Sequence, residues 1–341
     1  MIPTSGGMNL AKAMKKEDYL YISAALRARE PRMLTREKAE RMLEAPEFVD
    51  SAKLLTDCGY EDMSRMSAKE IDEALARHRG EVFDDLAQRC PNRALVDFFR
   101  VRYDYHNAKV VLKAEARGTD GDYLLSECGR VKSAALKDAY LDEHYSALPG
   151  RLGAALAEAR EVLARTSNPQ LSDFVLDRAW FEELTAIADE QQSAFLKRYV
   201  AVLADSSNLK SAVRTLRMGK NADFLRDTLL PGGRVEPGRF LTALSAEGLS
   251  GLFAGSELAE AAALGAEAIE GGKQTAFELS CDNAVMRVLR EAKLTAFGEE
   301  AVIAYLAAAE NELTAVRMIL TGRLMGIAPQ VIRERLRDLY A

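Results

Sequence analysis

Residues Phe98–Gly118 read FFRVRYDYHNAKVVLKAEARG, and residues Tyr199–Gly219 read YVAVLADSSNLKSAVRTLRMG. At an offset of 101 residues the two agree at Val101/Val202, Asp104/Asp205, Asn107/Asn208, Lys109/Lys210 and Gly118/Gly219, and Lys113 meets Arg214. A further step of 107 residues carries the register to Glu312, Ala315, Arg317 and Gly326. The acidic, basic and glycine positions therefore occur three times, while the asparagine becomes alanine in the third copy.

Markers outside these stretches keep the same rhythm. Asp72-Glu73-Ala74, Asp177-Arg178-Ala179 and Asp282-Asn283-Ala284 stand 105 residues apart, and Ser67 and Ser172 share that spacing. Downstream, Asp122-Tyr123-Leu124 answers Asp223-Phe224-Leu225, and Gly129-Arg130-Val131 answers Gly233-Arg234-Val235. A period of roughly 100 residues is that of a small domain, longer than the 20–50 residues of solenoid repeats. The expectation is a triplication, with units at residues 1–120, 121–222 and 223–341.

Each copy reads as helix. At about 100° per residue, Phe98, Val101, Tyr105, Ala108 and Leu112 share one face. Asp104 and Asn107 border it on one side, and Lys109 and Lys113 lie with Arg102 along the other. Tyr199, Val202, Leu209 and Val213, with Lys210 and Arg214, repeat the arrangement. The recurring polar set is Asp104, Asn107, Lys109, Lys113, Asp205, Asn208, Lys210, Arg214, Glu312 and Arg317. Two roles are open to it: tying each helix to neighbours inside its own unit, or taking part in a ligand or partner site.

Nearly every other long segment is also rich in Ala, Leu, Glu, Arg and Lys with apolar residues three and four apart, and strand alternation is nearly absent, so the fold class is all-α. Tyr19–Arg29 predicts a first helix ended by Glu30-Pro31, and Thr35 caps the next. Ser67 and Glu70 form a capping box for the helix that carries Asp72. Cys90-Pro91 breaks that helix, and Gly118 and Gly219 suit helix ends. After the turn at Asn168-Pro169, Ser172 or Asp173 is expected to cap a helix bearing Trp180, a core anchor. A last helix is expected from Ala328-Pro329 onward, with Ile332, Leu336 and Tyr340 on one face.

The 341 residues, 48% hydrophobic and 29% charged, describe a soluble globular chain long enough for two or three domains. A net charge of −6 argues against nucleic acid as the main partner. Cys58, Cys90, Cys128 and Cys281 form no ligand pattern, which predicts reduced, buried thiols in a cytoplasmic protein. The amino terminus lacks the apolar core of a signal peptide, and no apolar run is long enough for a membrane span.

No catalytic constellation emerges. His78, His106 and His144 stand at no metal-ligand spacing. Glu182-Glu183 and Glu299-Glu300 read as exposed helical faces. The glycines of Leu230-Pro231-Gly232-Gly233 follow no strand and precede no Gly-Lys-Ser/Thr, so they make no phosphate loop. No cofactor, metal or enzyme activity is expected.

The carboxy-terminal stretch AAENELTAVRMILTGRLMGIAPQVIRERL, together with DYHNAKVVLKA in the first unit, resembles the C subunit of prokaryotic V-type (A/V-type) rotary ATPases, whose eukaryotic relative is the d subunit of the vacuolar ATPase. The resemblance covers essentially the whole chain, with a departure at Ala315. It implies a non-catalytic collar on the rotor: a funnel of three similar helical domains about a pseudo-threefold axis, seated on the proteolipid ring and receiving the central shaft. It further implies a cytoplasmic location, peripheral at the inner face of the membrane, and torque transmission for proton or sodium transport. The isolated chain is expected to be a monomer. Two other readings stand beside it: a helical adaptor scaffold with soluble partners, and an all-helical enzyme with a site assembled between units.

Overall fold

The structure, a computed structural model, describes residues 14–341, which contain helices and no strand. Most of the amino-terminal stretch read above as lacking a signal-peptide core lies outside the described residues. The α-helices are α1 (Leu20–Arg29), α2 (Arg36–Glu44), α3 (Phe48–Lys53), α4 (Ala68–Arg89), α5 (Arg93–Arg117), α6 (Ser133–Leu141), α7 (Leu152–Thr166), α8 (Pro169–Glu190), α9 (Ala194–Arg217), α10 (Ala222–Thr228), α11 (Pro237–Thr242), α12 (Ala246–Leu252), α13 (Ala259–Ile269), α14 (Gln274–Arg290), α15 (Glu299–Leu324) and α16 (Pro329–Arg333).

The long helices pair as consecutive hairpins, α4 with α5, α8 with α9 and α14 with α15. Neighbouring hairpins pack through α5 on α8, α9 on α14 and α15 on α4, so the packing order returns to its start. Shorter helices flank these contacts: α7 lies on α5 and α8, α13 on α9 and α14, and α2 and α3 on α15.

The three repeated stretches are α5, α9 and the second half of α15. These helices are buried on several faces, which explains why their apolar stripes are broad. In α5 the predicted face Phe98, Val101, Tyr105, Ala108 and Leu112 is buried. Asp104 and Asn107, expected at its border, are fully buried as well, at 0% exposure. The Phe98 and Phe99 rings both lie 6.2 Å from the Tyr199 ring, so α5 and α9 meet through aromatic contact.

All three helices stop in the same way. Gly118, Gly219 and Gly326 adopt φ of +61°, +64° and +68°. The next amide in each case donates back into the last turn, Thr119 to Ala114 O, Lys220 to Thr215 O and Ile327 to Gly322 O. A left-handed residue at this point favours glycine, which explains the recurrence at this position.

The Ser67 capping box and the Thr35 cap are present as expected. Two element boundaries differ from expectation. α8 starts at Pro169 with Asn168 as its cap, because proline suits the first helical position and the Asn168 side chain reaches the Gln170 amide. Ser172 is buried inside that helix and Asp173 turns to Lys113. α16 ends at Arg333, yet Leu336, Leu339 and Tyr340 are buried beyond it in irregular chain. The four cysteines are free and buried, and Trp180 packs edge-on against Phe181 beside the core.

The apolar interior has two parts. The larger runs through the hairpins and the flanking helices. The smaller joins Leu34, Met42, Leu43, Leu55, Tyr60 and Met63 to Ile71 and Leu75 of α4, to Val316, Ile319 and Leu320 of α15, and to Ile332 and Leu336.

Candidate functional site

The recurring polar residues occupy the joints between neighbouring segments. At the acidic position, Asp104 of α5 accepts from Arg130 Nε at 2.7 Å and from the Val131 amide at 3.1 Å. Asp205 of α9 accepts from the amides of Arg234 and Val235 at 3.0 and 3.2 Å. Glu312 of α15 accepts from the Leu34 amide and the Tyr60 hydroxyl, each at 2.8 Å. In every copy the amide donor stands just before the first short helix or its cap: Val131 precedes α6, Val235 precedes α11 and Leu34 precedes α2.

At the asparagine position, the Asn107 carboxamide both donates to Ser126 O and accepts from its amide, at 2.8 Å each. Asn208 brackets Leu230 in the same manner, at 2.9 and 2.8 Å. Leu230-Pro231-Gly232-Gly233 is thus a structural loop pinned to α9. Ala315, the third equivalent, is buried in the smaller core.

At the basic position the partners are the three aspartates spaced by 105 residues. Lys109 pairs with Asp177 at 2.5 Å, Lys210 with Asp282, and Arg317 with Asp72 through 2.6 and 2.9 Å contacts. One turn on, Lys113 pairs with Asp173 at 2.7 Å and Arg214 with Glu278 at 3.5 Å. Thr321 and Ala68 occupy the corresponding places at the third joint.

Of the two roles open to the polar residues, these contacts are with neighbouring segments of the same chain. With segments 1–120, 121–222 and 223–341, all ten residues bond into the next segment: first to second, second to third, and third back to first. A single sequence does not show this, since periodicity gives the face of a helix and not its neighbour.

Burial governs the acids. It raises the Asp104 carboxyl above its ordinary value, with Arg130 opposing the rise. Asp205, which lacks a direct side-chain cation, is pushed by burial up to about 6. Glu312 is also raised by burial, while the Leu34 amide and Tyr60 hydroxyl pull it back. Arg317 is raised by its bonds to Asp72.

Some of the network is invisible in the sequence. Glu183, expected on an exposed face, is 5% exposed; it accepts from the Tyr105 hydroxyl at 2.8 Å and meets Arg130 at 2.7 Å. Arg130 therefore bridges Asp104 and Glu183. The Gly-Arg-Val repeat marks its place but not its role.

A cavity of about 940 Å³ opens between α4, α5 and α15, with Arg79, Arg102, Tyr103, His106, Glu310 and Arg317 on its walls. Its carboxylate Glu310 is already held by Arg79 at 2.9 Å and by the Tyr103 hydroxyl at 2.5 Å. Burial raises the Tyr103 phenol far above its usual range. Among the described residues, no group of three or more His, Cys, Asp or Glu is placed to hold a metal ion. No helix among them is long and apolar enough to cross a membrane.

Similarity to known proteins agrees with this architecture. The C subunit of the V-type sodium ATPase of Enterococcus hirae is 22% identical over 335 residues, covering 95% of this chain and 99% of the relative. The C subunit of the A-type ATP synthase of Methanocaldococcus jannaschii is 24% identical, covering 94% and 86%. The C subunit of the V-type ATP synthase of Thermus thermophilus is 25% identical over 225 residues, covering 64% and 68%. The family model described as ATP synthase (C/AC39) subunit matches residues 22–335. With its buried joints, its helical hairpins and this match along nearly the whole length, the chain belongs to the ATP synthase (C/AC39) subunit family.

Proposed function

We propose that this protein is the collar of a V/A-type rotary ATPase, connecting the central shaft to the membrane proteolipid ring and passing torque between them. Membership of the family makes it a structural, non-catalytic subunit of that complex. The finer reading is a triplicated, pseudo-threefold body shaped as a funnel, peripheral at the inner face of the membrane.

The observation that carries it is the cycle of joints. Each repeated helix grips the next segment through an acid, and through a base one to two turns later, and the third grips the first. Head-to-tail contacts that close in this way make a ring. A ring of packed helices resists twisting, as a torque-bearing part must, and buried polar joints hold its register. The ten recurring residues are read as those joints.

The test is a tagged pull-down of the full chain from gently solubilised membranes of its native cell, with co-purifying proteins identified by mass. Recovery of proteolipids with the shaft and catalytic subunits is expected. Recovery of soluble proteins alone, from membranes whose rotary ATPase is shown to be intact, would replace the collar with an adaptor scaffold.

A further inference from the structure

The three joints are alike in chemistry and unlike in connection. The acid and its amide donor are 27 residues apart at the first joint and 30 at the second, but 278 at the third. The basic pairs show the same contrast, with separations of 68, 72 and 245. At the first two joints the outgoing helix runs on within a few turns of chain into the segment it grips. At the third, the gripped segment comes from the other end of the protein.

We infer that residues 34–63 form a clasp, which closes the ring at its one joint without a short chain connection and which opens as a unit while the rest of the body stays folded. The inference rests on the ring reading above. It goes beyond that reading by assigning the place where the ring parts.

Three observations lead to it. The clasp has its own apolar core, separate from the main one, formed with the second half of α15 and the first turns of α4. Its buried polar anchor on α15 is the Glu312 carboxylate, which takes one bond from Leu34 and one from Tyr60, and Arg323 of α15 adds bonds to the Ala45 and Pro46 carbonyls at the margin. The ladder of ion pairs beside it has one rung, Arg317 to Asp72, where the other joints have two. A segment with its own core is the kind that opens below the global unfolding energy. Opening uncovers Ile71 and Leu75 of α4 together with Val316 and Ile319 of α15, the surfaces that hold the third joint shut.

The chain carries its own reporters. Cys58 is buried in the clasp core, and Cys281 in the main core on α14. The full-length protein is treated under native conditions with excess maleimide, and the rate at each cysteine is followed by peptide mass. Cys58 is expected to react at least about tenfold faster than Cys281, following local rather than global opening. Leu209→Ala, in the main core, should speed Cys281 at least about tenfold and leave Cys58 within about twofold, while Val316→Ala, in the clasp core, weakens both the clasp and the whole body and should speed both cysteines. Should Leu209→Ala fail to fold, Val213→Ala, in the same core, serves with a smaller effect of the same sign. Hydrogen exchange on the unaltered chain adds an independent readout, in which α2 and α3 lose protection together before α5, α9 and α15. One common rate for the two cysteines, or equal acceleration of both by Leu209→Ala, overturns the clasp. The pull-down tests the collar separately, because a chain recovered with proteolipids can still open only globally.

Discussion

The Arg317 guanidinium grips both carboxylate oxygens of Asp72, at 2.6 and 2.9 Å, across 245 residues of sequence. The two side chains are 60% and 43% exposed, so water screens much of their attraction. The fork-on-carboxylate geometry sets register more than it adds energy. A double-mutant cycle of Arg317→Ala and Asp72→Ala, read by urea unfolding, is therefore expected to give a coupling below about 1 kcal/mol. A coupling of several kcal/mol would make the exposed pair, rather than the buried acid, the main fastening of that joint.

The asparagine position should behave differently, because its side chains are fully buried. Asn107 and Asn208 each close two hydrogen bonds on one backbone residue. Replacing either by alanine leaves a backbone amide and carbonyl without those partners, at a cost of roughly 2–4 kcal/mol in unfolding free energy. Asn107→Ala and Asn208→Ala can be compared by denaturant titration. A loss under about 1 kcal/mol in both would mean that water replaces the bracket.

Asp205 gives a pH signature. Burial pushes its carboxyl from 3.8 to about 6, so the folded chain holds this proton more tightly than the unfolded one. The resulting stabilisation is complete below pH 3.8, is lost as pH rises to about 6, and stays absent above. Stability measured from about pH 3.5 to 7 in the parent and in Asp205→Asn should diverge across that window, with the parent losing on the order of 3 kcal/mol relative to the variant. A constant difference would show that the two backbone amides already offset the burial.

The glycines of the Gly-Arg-Val repeat are close-approach positions. A Cβ on Gly129 would strike the Asp104 carboxylate, and one on Gly233 the Asp205 carboxylate, whereas Gly238 in α11 has open space around it. Gly129→Ala and Gly233→Ala should each cost about 1–3 kcal/mol, since the buried acid has to shift. Gly238→Ala should be close to neutral. Thermal unfolding of the three variants separates them, and equal effects would refute the crowding argument.

The sequence is informative wherever a local rule operates. Helix type, the glycine stops, the Ser67 box and the spacing of Asp72, Asp177 and Asp282 all follow from propensity, capping and repetition. The aspartates stand out as markers, yet only folded packing reveals that each meets the base of the preceding copy. Glu183 reads as solvent-facing charge because its neighbour Glu182 is one, and Tyr105 and Arg130 reach it from distant positions. The α8 start falls one turn earlier than expected because proline at the first helical position and asparagine before it outrank the serine that matches Ser67. Glu312 is legible as the third acid, but its partners Leu34 and Tyr60 lie at the far end of the chain, beyond any local pattern.

That arrangement gives the protein an order of synthesis with a built-in delay. A ribosome delivers Leu34, Met42, Leu43 and Leu55 well before the α15 surface that covers them. In the interval these side chains have no lasting cover, the condition in which nascent chains aggregate or are held by chaperones. Chains cut short before α15 would keep that apolar surface bare. The later-made helix is thus the one that makes the earlier-made stretch safe.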